Sequence, residues 1–137
     1  MSSVNPIPAG FHSVTPFLYV RNAKQFIEFT QAAFGAQETV YHELPNGQAH
    51  AEIKIGDSMI MIGQTTPAPA SIYLYVHDVD AVYERAVESG AKSIGAPSDK
   101  PYGDRNATVE DAHGITWFIG SRIEEDDVIA RRMKAGK

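Results

Sequence analysis

Hydrophobic and polar positions follow the same order twice along this chain. Short runs of aromatic and aliphatic residues at 17–20 and 73–76 are typical of β-strands. Each run is followed by a residue suited to begin a helix, Asn22 or Asp78, and then by apolar residues at helical spacing. Each helical pattern stops near a glycine. The sequence therefore predicts a strand followed by a helix in each half of the chain.

The remainder of each half predicts three further strands. Turn-forming residues separate them at 45–47 and 56–57 in the first half, and at 101–104 and 111–114 in the second. The predicted strands lie at about 38–44, 48–55, 58–62, 93–96, 106–110 and 115–119. Each half is then a βαβββ unit, and the predicted fold class is α+β.

The two halves are also similar in sequence. The segment 15–22 returns 56 positions later as 71–78. The same offset pairs residues that close the two halves: Met61 with Trp117, and Ile62 with Phe118. A unit of roughly 55 residues buries little surface by itself, so two copies that share a core are expected. The predicted organisation is a first module at about 13–64, a linker at 65–70, a second module at about 71–122 and a short helix or frayed tail at 123–137.

The composition and charge of this chain of 137 residues limit the classes of partner and site that are expected. The net charge of -5 argues against nucleic acid or an anionic membrane as the partner. The chain has no cysteine, which excludes disulfides, thiolate metal sites and a cysteine nucleophile. The first ten residues contain no basic cluster and no long apolar run, so a cytoplasmic location is expected.

Several local motifs accompany the duplicated units. They include 32–36, 50–53, 102–105 and the closing segment Asp111-Ala-His-Gly-Ile-Thr-Trp-Phe118. In this order they resemble the vicinal oxygen chelate superfamily, which includes glyoxalase I, ring-cleaving dioxygenases and bleomycin resistance proteins. Within it they resemble the PhnB-like branch. The resemblance covers about residues 13–122 and implies a homodimer, because the superfamily builds or completes its cups through paired modules.

The resemblance also implies positions for a divalent metal held by His, Gln or Glu. Counted along this sequence, those positions fall on Thr15, Ile62, Ser71 and Phe118. Two of these side chains are weak hydroxyl donors and two have no donor atom, so no conventional metal site can form there. We therefore expect no metal and no other cofactor.

The remaining polar candidates lie on predicted strands and turns. His50 and Glu52 are two residues apart and face the same way, so they are either an acid/base or ligand-holding pair or a local ion pair facing solvent. Arg105 is suited to grip a carboxylate or phosphate beside the aromatic wall of Tyr102, or it pins a loop. Tyr75 and Trp117 complete the ligand-binding candidates, although a tryptophan at this position is more often part of the core.

Three functions remain open from the sequence. The first is metal-free binding of a small, partly aromatic molecule in the cup between modules. The second is a lyase or isomerase of the glyoxalase type, with a displaced metal site or with His50 and Glu52 acting without metal. The third is an interaction module whose pocket is filled by its own side chains.

Overall fold

The computed structural model describes residues 5–135 and divides into two compact units, the first ending at Ala68 and the second beginning at Pro69. The first unit contains β1 (Phe17–Val20), α1 (Ala23–Phe34), β2 (Gln37–Glu43), β3 (Ala49–Ile55) and β4 (Ser58–Gln64). The second contains β5 (Ala70–Tyr75), α2 (Val79–Glu88), β6 (Lys92–Asp99), β7 (Asp104–Glu110), β8 (Ile115–Arg122) and α3 (Asp126–Ala135). The predicted α+β class and the two βαβββ modules are confirmed.

Each unit has one four-stranded mixed sheet. The strand orders are β1-β4-β3-β2 and β5-β8-β7-β6, with the first pair in each sheet parallel and the other pairs antiparallel. In each unit the helix carries the chain back across the sheet after the first strand. The next three strands then run antiparallel to one another, so the last of them lies parallel to the first.

The helices begin where their sequence signals predict. The Asn22 side chain accepts a hydrogen bond from the backbone N–H of Gln25 at 3.0 Å. The Asp78 carboxylate accepts one from the backbone N–H of Ala81 at 3.1 Å. Gly35 ends α1 in the left-handed conformation, with a φ of 68°, which glycine adopts without steric cost.

Within the predicted tail, Asp126–Ala135 form α3, and Gly136 and Lys137 lie outside the described residues. None of the helices between residues 5 and 135 is long and apolar enough to cross a membrane.

One face of each sheet packs against the helix of its own unit. α1 lies against β3 and β4, and α2 lies against β6, β7 and β8. Buried side chains on this helix face alternate along most of the strands with more exposed ones, whereas β7 also buries Asp104 and Asn106 on its opposite face. The buried set includes Leu18, Val20, Ala51, Ile53, Ile60 and Ile62 in the first unit, and Val109, Ile115, Trp117 and Ile119 in the second. We call the opposite face of each sheet its open face.

Strand register corrects the predicted pairing of the closing strands. Phe17 on β1 pairs with Met61, whereas its repeat equivalent Tyr73 on β5 pairs with Phe118. The offset between β4 and β8 is therefore 57 rather than 56, so Met61 corresponds to Phe118 and Ile62 does not. The β7–β8 turn is one residue longer than the β3–β4 turn, which moves every later residue by one position. Because side chains alternate between faces, this single residue changes which of them share a face.

Candidate functional site

Five polar and aromatic side chains of the second unit converge on the open face of its sheet. We call them the tyrosine cluster: Tyr73, Tyr75, Tyr102, Asp104 and Asn106. Tyr73 and Tyr75 are two residues apart on β5 and so lie on the same side of that strand. Asp104 and Asn106 have the same spacing on β7, and Tyr102 lies in the turn that precedes it.

A buried carboxylate is at the centre of the cluster. Asp104 is only 4% exposed, and its Oδ2 accepts hydrogen bonds from the hydroxyls of Tyr73 at 2.6 Å and Tyr75 at 3.2 Å. The Asn106 side-chain amide donates to the Tyr102 hydroxyl at 2.8 Å and to the Tyr73 hydroxyl at 3.2 Å. Since these bonds link every member, the network fixes the three phenol rings relative to one another.

The network crosses strand β8, which lies between β5 and β7. Gly120 is the β8 residue that pairs with both Tyr75 and Asn106. A Cβ atom at Gly120 would lie 2.6 Å from both Cε1 and the hydroxyl oxygen of Tyr73. Glycine is required here because the Tyr73 ring passes closely over the strand to reach Asp104.

The charge of Asp104 is only partly balanced. Its Oδ1 is buried and has no hydrogen-bond partner among residues 5–135, and Nη1 of Arg122 lies 3.7 Å away. Burial, opposed by the Asn106 hydrogen bond and reinforced by Asp104, raises the pKa of Tyr73 to about 12. Burial first, and then the charge of Asp104, also raises the pKa of Tyr75. Both phenols therefore stay protonated at neutral pH and donate to the carboxylate.

The C-terminal helix holds the turn that carries Tyr102. Ile129 of α3 fills the space beside Gly103, where any Cβ atom would collide with it. Arg132 of the same helix donates to the carbonyl of Pro101 at 2.9 Å. These two contacts flank Tyr102 in the chain, so α3 positions one wall of the cluster.

The predicted pair in the first unit also forms. Nε2 of His50 lies 3.1 Å from Oε2 of Glu52, on the open face of that unit's sheet. The Phe17 ring lies beside the imidazole, with 5.7 Å between ring centroids. The His50 and Glu52 side chains are 31% and 16% exposed, so both are within reach of a bound molecule.

Two residues predicted at the site lie elsewhere. Trp117 is fully buried on the helix face, and its indole N–H donates to Asp111 at 2.8 Å. Arg105 points away from the cluster across β7, and its guanidinium donates to Asp80 at 2.9 and 3.0 Å and to Asp99 at 3.0 Å. Trp117 is therefore part of the core, the alternative that the sequence already offered, and Arg105 ties β7 to α2 and β6 and lies outside the tyrosine cluster. Tyr75 and Tyr102, by contrast, belong to one network.

The sequence and the fold identify a family. Residues 10–119 match the sequence profile described as the Glyoxalase/Bleomycin resistance protein/Dioxygenase superfamily. The chain belongs to this superfamily. An uncharacterised protein of Mycobacterium bovis is 31% identical to it, over 90% of this chain and 89% of that protein.

Two solved structures show the same superfamily fold. TioX from Micromonospora sp. ML1 has a TM-score of 0.67 at 19% identity, covering 83% of this chain and 98% of that one. A PhnB protein from Bacillus cereus has a TM-score of 0.66 at 14% identity, covering 80% of this chain and 99% of that one. The sequence profile confirms the superfamily resemblance inferred from the motifs, and these two structures show that the fold is shared.

The positions at which the superfamily pattern places metal ligands do not fit a divalent metal in this member. Thr15 and Ser71 offer only hydroxyls, and Phe118 has no donor atom. In the observed register, the position assigned to Ile62 is occupied by Met61. The thioether of methionine suits soft metals, which differ from the ions that His and Glu bind. Between residues 5 and 135 no group of three or more His, Cys, Asp or Glu side chains could hold a metal ion. That the protein works without a cofactor stays a prediction.

Three members of the tyrosine cluster were not predicted as site residues from the sequence: Tyr73, Asp104 and Asn106. Tyr73 is not among the predicted ligand residues, and the prediction places Asp104 in a turn and starts the strand at Asn106. The structure starts β7 at Asp104 instead. A signal was present, because Asn106, Thr108 and Glu110 alternate with the apolar Ala107 and Val109, as expected for a strand with one polar face, and Asp104 is the next residue on that face.

Proposed function

We propose that this superfamily member binds a small, partly aromatic organic molecule at the tyrosine cluster without using a metal. The observation that carries the proposal is a buried carboxylate, Asp104, that holds the hydroxyls of Tyr73 and Tyr75 beneath partly exposed rings. Burying a carboxylate costs free energy, and here the buried carboxylate fixes the positions of the two tyrosine hydroxyls above it.

The exposed rings supply the apolar part of the binding surface. Tyr75 is 62% exposed, Tyr102 is 43% exposed and Tyr73 is 39% exposed. Their hydroxyls are already fixed by Asp104 and Asn106, so a ligand would order few side chains on binding. A preformed aromatic surface with a few placed polar groups is typical of small-molecule sites.

The hydrogen-bonding groups supply orientation. The Tyr102 oxygen accepts from Asn106, which leaves the proton of this hydroxyl to be donated to a ligand. The Tyr75 hydroxyl donates to Asp104, which leaves its lone pairs to accept a hydrogen bond. A ligand with one donor and one acceptor beside a flat ring matches this arrangement.

Binding is tested by screening soluble aromatic fragments against the full chain, with ¹H–¹⁵N NMR as the readout. We expect resonance shifts at the cluster, and weaker binding in Tyr75→Ala and Tyr102→Ala. Tyr83→Phe is the control, because the Tyr83 hydroxyl bonds Ser93 away from the cluster. If no fragment shifts the cluster resonances, the proposal fails.

The metal-free part of the proposal has its own test. The purified protein is incubated with Zn, Ni, Mn and Fe(II), desalted and analysed for elemental content. We expect no metal at stoichiometric levels, because the donor set at Thr15, Met61, Ser71 and Phe118 is poor. Retention of one metal per chain would contradict this and would favour an enzyme.

A second function is favoured by the contact between His50 and Glu52. An imidazole 3.1 Å from a carboxylate is suited to proton transfer, as a lyase or isomerase of the glyoxalase type requires. His50→Ala and Glu52→Ala should leave the fold intact, since both side chains are partly exposed. Loss of turnover in these variants, with ligand binding at the tyrosine cluster unchanged, would establish this alternative.

We also propose a homodimer, as the superfamily resemblance implies. Phe17 and Tyr19 form an edge-to-face pair with ring centroids 5.3 Å apart, and each ring is 46% exposed on the open face of the first unit. Such an aromatic patch loses contact with water when a second copy covers it. Light scattering should give twice the chain mass of 15.0 kDa, and a monomer at all concentrations would contradict the proposal.

A further inference from the structure

We propose that the group recognised by the tyrosine cluster is an organic cation, such as an ammonium or amidinium carried on an apolar molecule. The inference rests on the proposed binding function and adds the chemical class of the ligand. It comes from the joint presence of stacked aromatic rings, a buried carboxylate and an arginine whose charge is shared with a second carboxylate.

The rings form a surface on which a cation is stabilised. The Tyr73 and Tyr75 centroids lie 4.9 Å apart with their planes tilted by 44°. The Phe118 ring is also stacked with Tyr73, with 6.0 Å between centroids and 13° between planes. Aromatic faces carry negative electrostatic potential, and several of them side by side attract an organic cation more strongly than a neutral group of the same size.

The local charge is negative after Arg122 is counted. Arg122 lies 3.7 Å from Asp104 and 3.6 Å from Asp126, so one positive charge is set against two negative ones. Arg122 is half exposed whereas Asp104 is buried, so solvent screens the cation more than the carboxylate. The effect of Asp104 on the pKa of Tyr75 exceeds the opposing effect of Arg122, in agreement with a negative potential at that hydroxyl.

An anionic ligand fits the same surface poorly. The guanidinium of Arg122 already donates to the carbonyl of Tyr102 at 3.0 Å besides its two carboxylate contacts. Arg105 is committed to Asp80 and Asp99 on the other side of β7. An anion at the rings would therefore meet the charge of Asp104 while these two arginines are already engaged by other groups.

The experiment compares three probes that share a phenyl ring and differ in charge: benzylamine, benzyl alcohol and phenylacetate. The full chain is titrated with each at neutral pH and followed by ¹H–¹⁵N NMR. We expect benzylamine to bind about tenfold more tightly than the other two, from ring and carboxylate attraction together. The largest shifts are expected at Tyr75, Asp104 and Asn106.

Two pairs of variants test the charge assignment. Arg122→Gln removes the positive charge beside Asp104 and should tighten benzylamine binding several-fold, whereas Arg122→Lys keeps the charge and should change it little. Asp104→Asn should abolish the preference for benzylamine. Asp57→Asn is its matched control, since it changes net charge by the same amount in an exposed turn of the first unit. If Asp104→Asn does not fold, the Arg122 pair decides the question.

The outcomes separate this inference from the proposed function. Phenylacetate or benzyl alcohol binding at the cluster as tightly as benzylamine would overturn the cation assignment and leave small-molecule binding intact. Weaker benzylamine binding by Arg122→Gln would overturn it as well. If none of the three probes shifts the cluster resonances at millimolar concentration, and the wider fragment screen also fails, the proposed function itself is refuted.

Discussion

The Tyr73 hydroxyl donates a 2.6 Å hydrogen bond to the carboxylate of Asp104, although these residues lie on strands that are not neighbours. Strand β8 runs between them, and the bond forms because Gly120 on that strand has no side chain. The same bond joins the β5 and β7 sides of the sheet on its open face. An exposed aromatic residue and a buried acid therefore act as one structural unit.

Gly120→Ala should break this unit. The added methyl group would lie 2.6 Å from Tyr73, so the ring must swing outward and lose its bond to Asp104. We expect the free energy of unfolding to fall by about 1 to 2 kcal/mol, as for other overpacked sites that also lose a hydrogen bond. Urea denaturation measures the change.

Gly95→Ala is the matched control for that variant. Gly95 also lies on a strand, β6, but a Cβ atom there would meet no atom of residues 5–135 within 4 Å. Its stability should stay within about 0.5 kcal/mol of the unmodified chain. Equal losses in the two alanine variants would show that Tyr73 does not depend on Gly120.

Tyr73 should also make the free energy of unfolding depend on pH in the alkaline range. Its pKa is about 12 in the folded chain against an ordinary value of 10.0, so the unfolded chain releases this proton first. The stability that the protonated phenol contributes is complete below pH 10 and is lost as pH rises towards 12. Absorbance titration of the six tyrosines should show late-titrating residues, and Tyr73→Phe should reduce the late amplitude by one tyrosine while the raised pKa of Tyr75 accounts for the rest. A late amplitude unchanged in Tyr73→Phe would assign it to residues other than Tyr73.

Ile129→Ala should loosen the turn that carries Tyr102. The Gly103 amide donates to the Lys100 carbonyl, and the Lys100 amide donates to the Asp104 carbonyl. These amides should exchange with solvent faster once the Ile129 side chain no longer packs on Gly103, with a stability loss of about 1 kcal/mol for this half-buried residue.

Val128→Ala on the same helix is the control for Ile129→Ala. Val128 is 37% exposed, so its truncation should leave the turn amides protected. If both variants loosen the turn equally, the helix acts through its overall stability rather than through the Ile129 contact.

Arg105→Lys should lower the melting temperature and leave benzylamine binding unchanged. A lysine cannot reproduce the two-point contact that the Arg105 guanidinium makes with Asp80. Since the charges involved are exposed, the difference from the unmodified chain should shrink at high salt. Altered probe binding in this variant would return Arg105 to the ligand site.

Much of the fold was available from local sequence signals. Asn22 and Asp78 cap the helices as predicted, and Gly35 ends the first one in the left-handed conformation. Caps, turns and apolar spacing act within a few residues, so they can be read from a short window. The repeat then places the two βαβββ units without any tertiary information.

The fixed repeat offset failed where one turn was a residue longer. With an offset of 56, Trp117 corresponds to Met61 on the open face, yet the observed register places Trp117 on the helix face, fully buried. Period-two alternation turns a one-residue error into a change of face. The same error put Ile62 rather than Met61 at a position of the superfamily's metal pattern.

The sequence by itself determined the two βαβββ units, the helix ends and the family. Tertiary structure decided which polar residues share a site, because Tyr73, Tyr102 and Asp104 come from a strand, a turn and a second strand that are brought together only by sheet pairing. It also decided which candidates are available to a ligand: Arg105 is engaged in an ion pair, whereas Tyr75 is exposed. Local signals depend on neighbours in the chain, whereas a site depends on register and strand order across the sheet.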